Sequence, residues 1–398
     1  MRETAVRQAV ILVGGRGERL GRLTENTPKP MMSIGTSTFL EVLVDEVARH
    51  GFREIILLCG YRAEAILSVF DGKTRLGARV RCIVEDQPMG TAGALRMAAE
   101  WLDEQFLLLN GDSLLDINLL DLVTVAPGRD WLCKVALRRL PDTGRFGTVT
   151  LEGERIVSFA EKVGSGPGLI NGGIYLLKRT VLDWVQAVPC SLEREVLPRL
   201  AEQGLLYGRP YEGYFIDIGL PDDLARAQAE IPGRRRAAVF FDRDGVLNHD
   251  HGYVHRPEDF HWMDGAVEAI KRLNDQGRLV IVVTNQAGVA RGYYDEAKVA
   301  GLHGWMQAEL MAHGAHVDAF YHCPHHPDGV VPELAIACVC RKPEPGMLLA
   351  ALREWPIDQS RSILIGDKDS DIEAAGRAGV KGLRFDGHGL FDLVAEFR

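Results

Sequence analysis

Four groups of residues have the types and spacing to do chemistry. Gly14, Gly15 and Gly17 follow the apolar run Ala9–Val13, with Arg19 and Lys29 a little further on. Glycines lack a Cβ, so backbone N–H groups there can approach a triphosphate closely, and the two cations would stand where negative charge accumulates. Asp112 follows the run Phe106–Leu109, at the carboxyl end of an expected strand, where ligands bind in open α/β sheets. Asp242 and Asp244 follow Ala237–Phe241, and a turn at Gly245 would converge both carboxylates on one place. Cys323, His325, Cys338 and Cys340 offer three thiolates and one imidazole, the donor set of a closed tetrahedral zinc centre. Each group has a plainer alternative: a tight strand-to-helix turn, a helix cap, a surface turn, or free thiols in a loop.

These residues need a scaffold, and the apolar pattern supplies one. Short continuous runs, Ala9–Val13, Ile55–Leu58, Val80–Val84 and Phe106–Leu109, then Ala237–Phe241, Leu279–Val283 and Ile363–Ile365, alternate with amphipathic stretches such as Phe39–Arg49 and Ala266–Leu273. That pattern predicts parallel sheets covered on both faces. The breaker Pro232-Gly233, followed by Arg234-Arg235-Arg236, divides the chain into expected domains 1–232 and 233–398. The halves do not repeat one another, which points to fusion.

Composition narrows the partners. The chain has 398 residues, 46 basic against 55 acidic, for a formal charge of −9. Such a balance is poor for nucleic acid, whose phosphates need clustered Lys and Arg. No apolar window approaches the length of a membrane helix, and the N-terminus lacks the features of a signal peptide. Scattered cysteines beside one tight cluster fit a reducing compartment, so the expected location is cytoplasmic.

The joint pattern around Gly14–Leu20, Leu23-Thr24 and Pro28-Lys29-Pro30-Met31 resembles the sugar-1-phosphate nucleotidyltransferases, which have a Rossmann-like fold. The resemblance implies a nucleobase loop at Gly90-Thr91-Ala92-Gly93, after a strand ending at Glu85, and a nucleotide contact at Asn110-Gly111. It implies Asp112 and Asp217 as Mg²⁺ ligands, since paired carboxylates suit a hard cation. Glu161-Lys162 and Asn171-Gly172-Gly173 would meet the sugar phosphate. The expected reaction is in-line attack of a sugar 1-phosphate on the α-phosphorus of an NTP, with Arg19 and Lys29 neutralising charge. The triphosphate expected is GTP. Glu18 stands where the family commonly has Thr.

In the second half, Asp242-Arg243-Asp244-Gly245, Thr284-Asn285-Gln286, Arg341-Lys342-Pro343 and Gly366–Asp371 resemble, in order, the four motifs of the haloacid dehalogenase superfamily. The resemblance implies Asp242 as nucleophile and Asp244 as general acid and base, with Thr284, Asn285 and Lys342 on the phosphoryl oxygens. Mg²⁺ would rest on Asp242, Asp367 and the backbone carbonyl of Asp244. The metal loop 323–340 would order itself around zinc and carry Arg341 and Lys342 into place, with Arg341 left for a distal phosphate or the sugar. The zinc loop and the stretch Thr284–Gly292 resemble heptose 1,7-bisphosphate phosphatases, and the short segment after Val246 leaves no room for a large cap.

The expected architecture is thus two Rossmann-like three-layer α/β domains, a nucleotide-diphospho-sugar transferase fold and a haloacid dehalogenase-like fold with a zinc loop. A phosphatase that yields heptose 1-phosphate would make the substrate of the transferase, which favours a bifunctional enzyme of GDP-heptose synthesis. The competitors are the same chemistries on another sugar or NTP, a histidinol-phosphate-type phosphatase fused to an unrelated transferase, and a sensor without turnover.

Overall fold

A computed structural model describes residues 6–124, 130–160 and 166–397. The chain forms two compact units, Met1–Gly233 and Arg234–Arg398. Among the described residues, no helix is long and apolar enough to cross a membrane.

The first unit is built on a ten-stranded sheet. Its parallel part runs in the order Gln105–Asn110, Gln8–Val13, Glu54–Cys59, Ala78–Val84. These strands are the expected apolar runs lengthened by one or two residues. Val10, Ile56 and Leu108 are fully buried, and so are Ile11, Leu57 and Leu107, which alternate with them along the strands. Burial on both faces is why the runs lack polar alternation. The helix Phe39–Arg49 starts where Thr38 and Glu41 cap one another: Thr38 Oγ1 accepts from the Glu41 N–H, and Glu41 Oε2 accepts from the Thr38 N–H.

Contrary to the expectation of a purely parallel sheet, the sheet of the first unit is mixed. The strand Gly168–Lys178 runs antiparallel to both Gln105–Asn110 and Cys133–Leu140, and further antiparallel pairs follow beyond it. Of these pairs, only Thr148–Glu152 and Arg155–Ala160 are joined by a tight turn, the connection that forces an antiparallel pair; Gly168–Lys178 returns after intervening strands and enters the sheet in the opposite direction. The short strands Ser113–Leu115 and Phe215–Asp217 form a separate antiparallel ladder.

The second unit has a five-stranded, all-parallel sheet in the order Ala319–Cys323, Leu279–Asn285, Ala238–Phe241, Ile363–Gly366, Lys381–Arg384. Helix Ala266–Asp275 covers one face, with Ala269, Ile270 and Leu273 packed into the core beside Val239 and Phe241. Phe240, Ile281 and Leu364 turn to the opposite face, where Met347, Leu348 and Ala374 cover them. In both units the first strand of the sheet sits centrally, with its neighbours entering from opposite sides. That arrangement opens a crevice at its carboxyl end.

Candidate active sites and metal centre

In the first unit the crevice is an open cavity of about 1010 Å³. It is lined by Gly14, Gly15, Gly17, Arg19 and Lys29 from one end of the chain, and by Glu85, Gly90, Thr91, Asn110, Gly111 and Asp112 from later strand ends. The volume lies at the upper end of the range for small-molecule sites, roughly 300–1,000 Å³. Lys29 is buried, and its Nζ donates to Asp112 Oδ2 at 2.7 Å. The short ladder brings the second carboxylate alongside, because Asp217 pairs in register with Ser113. Ser113 Oγ lies 3.2 Å from Asp112 Oδ1 and 3.1 Å from Asp217 Oδ2, so one hydroxyl touches both acids. Burial, and then the charge of Asp112, raise the Asp217 carboxyl above its ordinary value. Two adjacent carboxylates sharing one ammonium leave surplus negative charge, which fits a hard divalent cation.

Other first-unit positions are differently employed. The Thr91 hydroxyl is occupied: it donates to Glu193 Oε2 at 2.8 Å and accepts from the Leu192 N–H at 2.7 Å. Gly90, at φ +73°, lies against the Cys190 carbonyl, where a Cβ would come within 2.5 Å of the oxygen. Both residues dock the helix start onto the segment around Cys190 while lining the cavity. Asn171 is turned inward on its own strand, donating to the Tyr175 hydroxyl at 2.6 Å and accepting from Gly173 N–H at 3.0 Å. With Gly172 it forms a bulge in the strand rather than the lining of the cavity. Glu161 and Lys162 lie outside the described residues. Glu193 lines the cavity and accepts from Tyr175 and Thr91. No local pattern marks it, because only the fold brings residue 193 beside residue 91.

In the second unit Asp242 ends the central strand and its backbone N–H donates to Ile365. Gly245 makes the turn at φ +89°, and a Cβ there would meet Asp367 Oδ2 at 2.5 Å. Lys342 Nζ stands 2.9 Å from Asp242 Oδ1 and 2.7 Å from Asp371 Oδ1, with all three residues buried. Carboxylate oxygens of Asp242, Asp367 and Asp371 lie within 4.8 Å of one another. Burial pushes the Asp242 carboxyl up to about 6, with Asp371 adding to it and Lys342 opposing. Asp367 is likewise raised by burial, and its Oδ1 is buried without a donor. Three carboxylates around one ammonium, with one oxygen unpartnered, fit a divalent cation. Asp371, the third acid, sits within the Gly366–Asp371 motif, and no local pattern places it beside Lys342.

Asp244 is not among those three acids. Its Oδ1 accepts from Arg243 and Asn248, and its Oδ2 from Arg243 and Gln286. Thr284 Oγ1 accepts from Gln286 at 2.9 Å. Asn285 holds the Lys342 backbone through two hydrogen bonds, so its amide positions the lysine instead of projecting toward a phosphoryl group. Arg341 donates to the His325 carbonyl, which ties it to the cysteine loop.

That loop brings Cys323, His325, Cys338 and Cys340 together. The Sγ atoms are 3.3–3.5 Å apart, and His325 Nδ1 is 3.4 Å from Cys340 Sγ and 3.8 Å from Cys323 Sγ. Ligands at zinc's tetrahedral bond lengths stand roughly 3.5–3.8 Å apart, so the four atoms already approach a metal cage.

Fold and sites define two α/β phosphoryl-transfer enzymes on one chain, a nucleotidyltransferase and a phosphatase. Comparison with known proteins agrees. The family described as nucleotidyl transferase matches residues 8–233, and the HAD-hydrolase-like family matches residues 339–384. The D-glycero-beta-D-manno-heptose-1,7-bisphosphate 7-phosphatase of Rhodopseudomonas palustris is 47% identical over 162 residues, 41% of this chain and 90% of that protein. The D-glycero-alpha-D-manno-heptose-1,7-bisphosphate 7-phosphatase of Photorhabdus laumondii is 47% identical over 142 residues, 36% of this chain and 78% of that protein. HddC from Yersinia pseudotuberculosis, whose crystal structure is 28% identical, covers 57% of this chain and 100% of its own with a TM-score of 0.52. A second HddC crystal structure is complexed with GMP-PN, at a TM-score of 0.51. The chain belongs to the nucleotidyl transferase family through its first half and to the family of these 7-phosphatases through its second.

Proposed function

We propose that residues 233–398 remove the 7-phosphate of D-glycero-D-manno-heptose 1,7-bisphosphate and that residues 1–232 join the resulting heptose 1-phosphate to GMP from GTP. The carrying observation is the pairing itself: the phosphatase relatives leave a sugar 1-phosphate, the chemical class a nucleotidyl transferase consumes. GTP is supported by the HddC complex with GMP-PN, and GDP-D-glycero-α-D-manno-heptose is the product we propose.

In the phosphatase, an Asp242 oxygen attacks the 7-phosphorus and the bond to the sugar oxygen breaks. Asp244 gives its proton to that leaving oxygen, then takes one from the water that hydrolyses the aspartyl phosphate. Lys342 and Thr284 face the phosphoryl oxygens, Asn285 holds Lys342 in place, and Arg341 is available to the remainder of the substrate. Mg²⁺, when held by Asp242, Asp367, Asp371 and the Asp244 carbonyl, supplies charge neutralisation at the phosphoryl group. The cluster Cys323, His325, Cys338 and Cys340 holds structural zinc.

In the transferase, an oxygen of heptose 1-phosphate attacks the α-phosphorus and pyrophosphate departs. Gly14, Gly15 and Gly17 present N–H groups to the triphosphate, and Arg19 and Lys29 balance its charge. Glu85, Gly90, Thr91, Asn110 and Gly111 shape the nucleoside end and Glu161 and Lys162 the sugar end, with Asn171 and Gly172 acting there only through the strand bulge they form. Asp112 and Asp217 hold Mg²⁺. The protein acts in the cytoplasm on small molecules, without nucleic acid or membrane partners.

Pyrophosphate release tests the reading. Each anomer of heptose 1,7-bisphosphate is supplied with Mg²⁺ and one NTP at a time, with Asp242→Asn as control. Release with GTP, lost in Asp242→Asn and restored by heptose 1-phosphate, is expected. Free phosphate without pyrophosphate for any NTP would overturn the transferase half.

A further inference from the structure

We infer that Arg243, together with the pair Gln286 and Tyr294, positions the Asp244 carboxyl for proton transfer and ties it to the loop Asp250–His255. The inference rests on the reading of Asp244 as the proton donor to the leaving sugar oxygen.

Arg243 is the largest fully buried side chain among the described residues. Burying a guanidinium is costly unless it is paired; here Nε and one terminal nitrogen are paired, both toward Asp244, while the other terminal nitrogen is buried without a partner. Its Nε and one terminal nitrogen reach Asp244 Oδ1 at 3.2 and 3.0 Å, and that nitrogen also reaches Oδ2 at 2.9 Å. The same nitrogen donates to the Val254 carbonyl at 2.6 Å. Asn248 adds a bond to Oδ1 at 3.1 Å, and Gln286 Nε2 one to Oδ2 at 3.0 Å. With donors on both oxygens, the carboxyl cannot rotate without breaking several bonds at once.

A second route reaches the same carboxyl. The Tyr294 hydroxyl donates to Gln286 Oε1 at 2.8 Å, which orients the amide so that its nitrogen faces Asp244. The Tyr294 ring stacks on His255, with centroids 4.5 Å apart and planes 12° apart. Val254 and His255 are neighbours, so two independent connections run from one loop to one carboxyl. At its other end the loop reaches the site through Asp250, 3.5 Å from Lys368 Nζ.

The loop is itself constrained. Tyr253 holds φ +55°, a conformation that bulky side chains avoid. Its ring packs edge-on against Tyr293 at 4.7 Å. Strain of this kind persists only where the surroundings hold it in place. Here the surroundings are the Tyr293 ring against Tyr253 and the flanking contacts of Val254 with Arg243 and of His255 with Tyr294, and Arg243 and Tyr294 are the groups that also set Asp244.

The test compares leaving groups in the full-length protein. The first-turnover rate is measured with heptose 1,7-bisphosphate, whose sugar oxygen needs a proton, and with p-nitrophenyl phosphate, whose phenolate does not. Asp244→Asn serves as the reference, with Arg243→Lys and Tyr294→Phe as the positioning variants. Each is expected to lose at least about tenfold more rate with the sugar phosphate than with the aryl phosphate, within the 10²–10⁴-fold range of general acid catalysis, while KM stays within about twofold. Equal loss with both substrates, or none, in Arg243→Lys and Tyr294→Phe while Asp244→Asn shows the difference overturns the positioning inference alone. If Asp244→Asn itself shows no difference, the proton-donor reading and this inference fall together. Should Arg243→Lys fail to fold, Tyr294→Phe decides, because it removes one hydroxyl and keeps the stacked ring.

Discussion

Asn285 and Lys342, 57 residues apart in the chain, exchange two hydrogen bonds: Asn285 Nδ2 donates to the Lys342 carbonyl and the Lys342 N–H donates to Asn285 Oδ1, each at 3.0 Å. The amide of one motif thereby fixes the backbone of the next, and the Lys342 ammonium is aimed between Asp242 and Asp371. Asn285→Ala leaves the ammonium in the chain but unfastens its backbone. Displacement of a catalytic group by an ångström can cost on the order of 10²-fold. Phosphatase kcat should fall by about that factor with pyrophosphate release from supplied heptose 1-phosphate unchanged, measured as the two activities on one preparation.

Gly245 and Asp367 meet so closely that a side chain cannot fit between them. Gly245→Ala places a Cβ 2.5 Å from Asp367 Oδ2 at a φ of +89°. A cost of about 1–2 kcal/mol is expected from the backbone alone. The displaced Asp367 should lower phosphatase activity further, read as a weakened dependence of kcat/KM on added Mg²⁺.

Asp112 carries charge for the other unit. Asp112→Asn keeps the shape and removes the anion that pairs with Lys29 at 2.7 Å. Pyrophosphate release should fall roughly 10²–10³-fold, the range for deleting one preorganised electrostatic group. Phosphate release from heptose 1,7-bisphosphate should be untouched, and loss of both activities would contradict independent sites.

The cysteine cluster makes a prediction about metal content. Cys338→Ser replaces one of three thiolates whose Sγ atoms lie within 3.5 Å of one another. Zinc by elemental analysis should drop below one ion per chain. Thermal unfolding of the phosphatase unit should come at lower temperature, since binding energy at such a site is folding energy. Unchanged zinc would sink the assignment.

His303 supplies a pH dependence of stability. Burial lowers its imidazole to about 3, with Arg243 and His322 adding to the shift. The unfolded chain therefore binds this proton near pH 6.5 while the folded chain refuses it. Stability contributed by the neutral ring is present above pH 6.5 and is lost as pH falls toward 3. Between pH 7 and 5 the loss is on the order of 2 kcal/mol. His303→Phe keeps a ring against Phe320, which stacks at 4.4 Å, and removes the titration. Its denaturant midpoint should decline less over that pH range than that of the parent protein.

The sequence by itself determined the elements and the chemistry at their ends. Continuous apolar runs such as Ala9–Val13 and Leu279–Val283, short and closed by Gly- or Asp-bearing turns, point to strands buried on both faces, and helix Phe39–Arg49 carries its own capping signals. Glycines and carboxylates directly after those runs were legible because a motif that follows a strand is local, and the cysteines because their spacing alone marks a ligand set. What tertiary structure alone decided is which of these groups meet and which are spent on one another. Ser113 joins Asp112 to Asp217 through the register of a ladder whose strands are about a hundred residues apart. The hydroxyl of Thr91 is taken by Glu193, and the amide of Asn285 by the backbone of Lys342. A short sequence pattern records that a polar group is present, but not whether a distant part of the chain already satisfies it. Hydrogen bonds between residues far apart in sequence form only once the sheet order sets their spacing, and that order is a property of the whole fold.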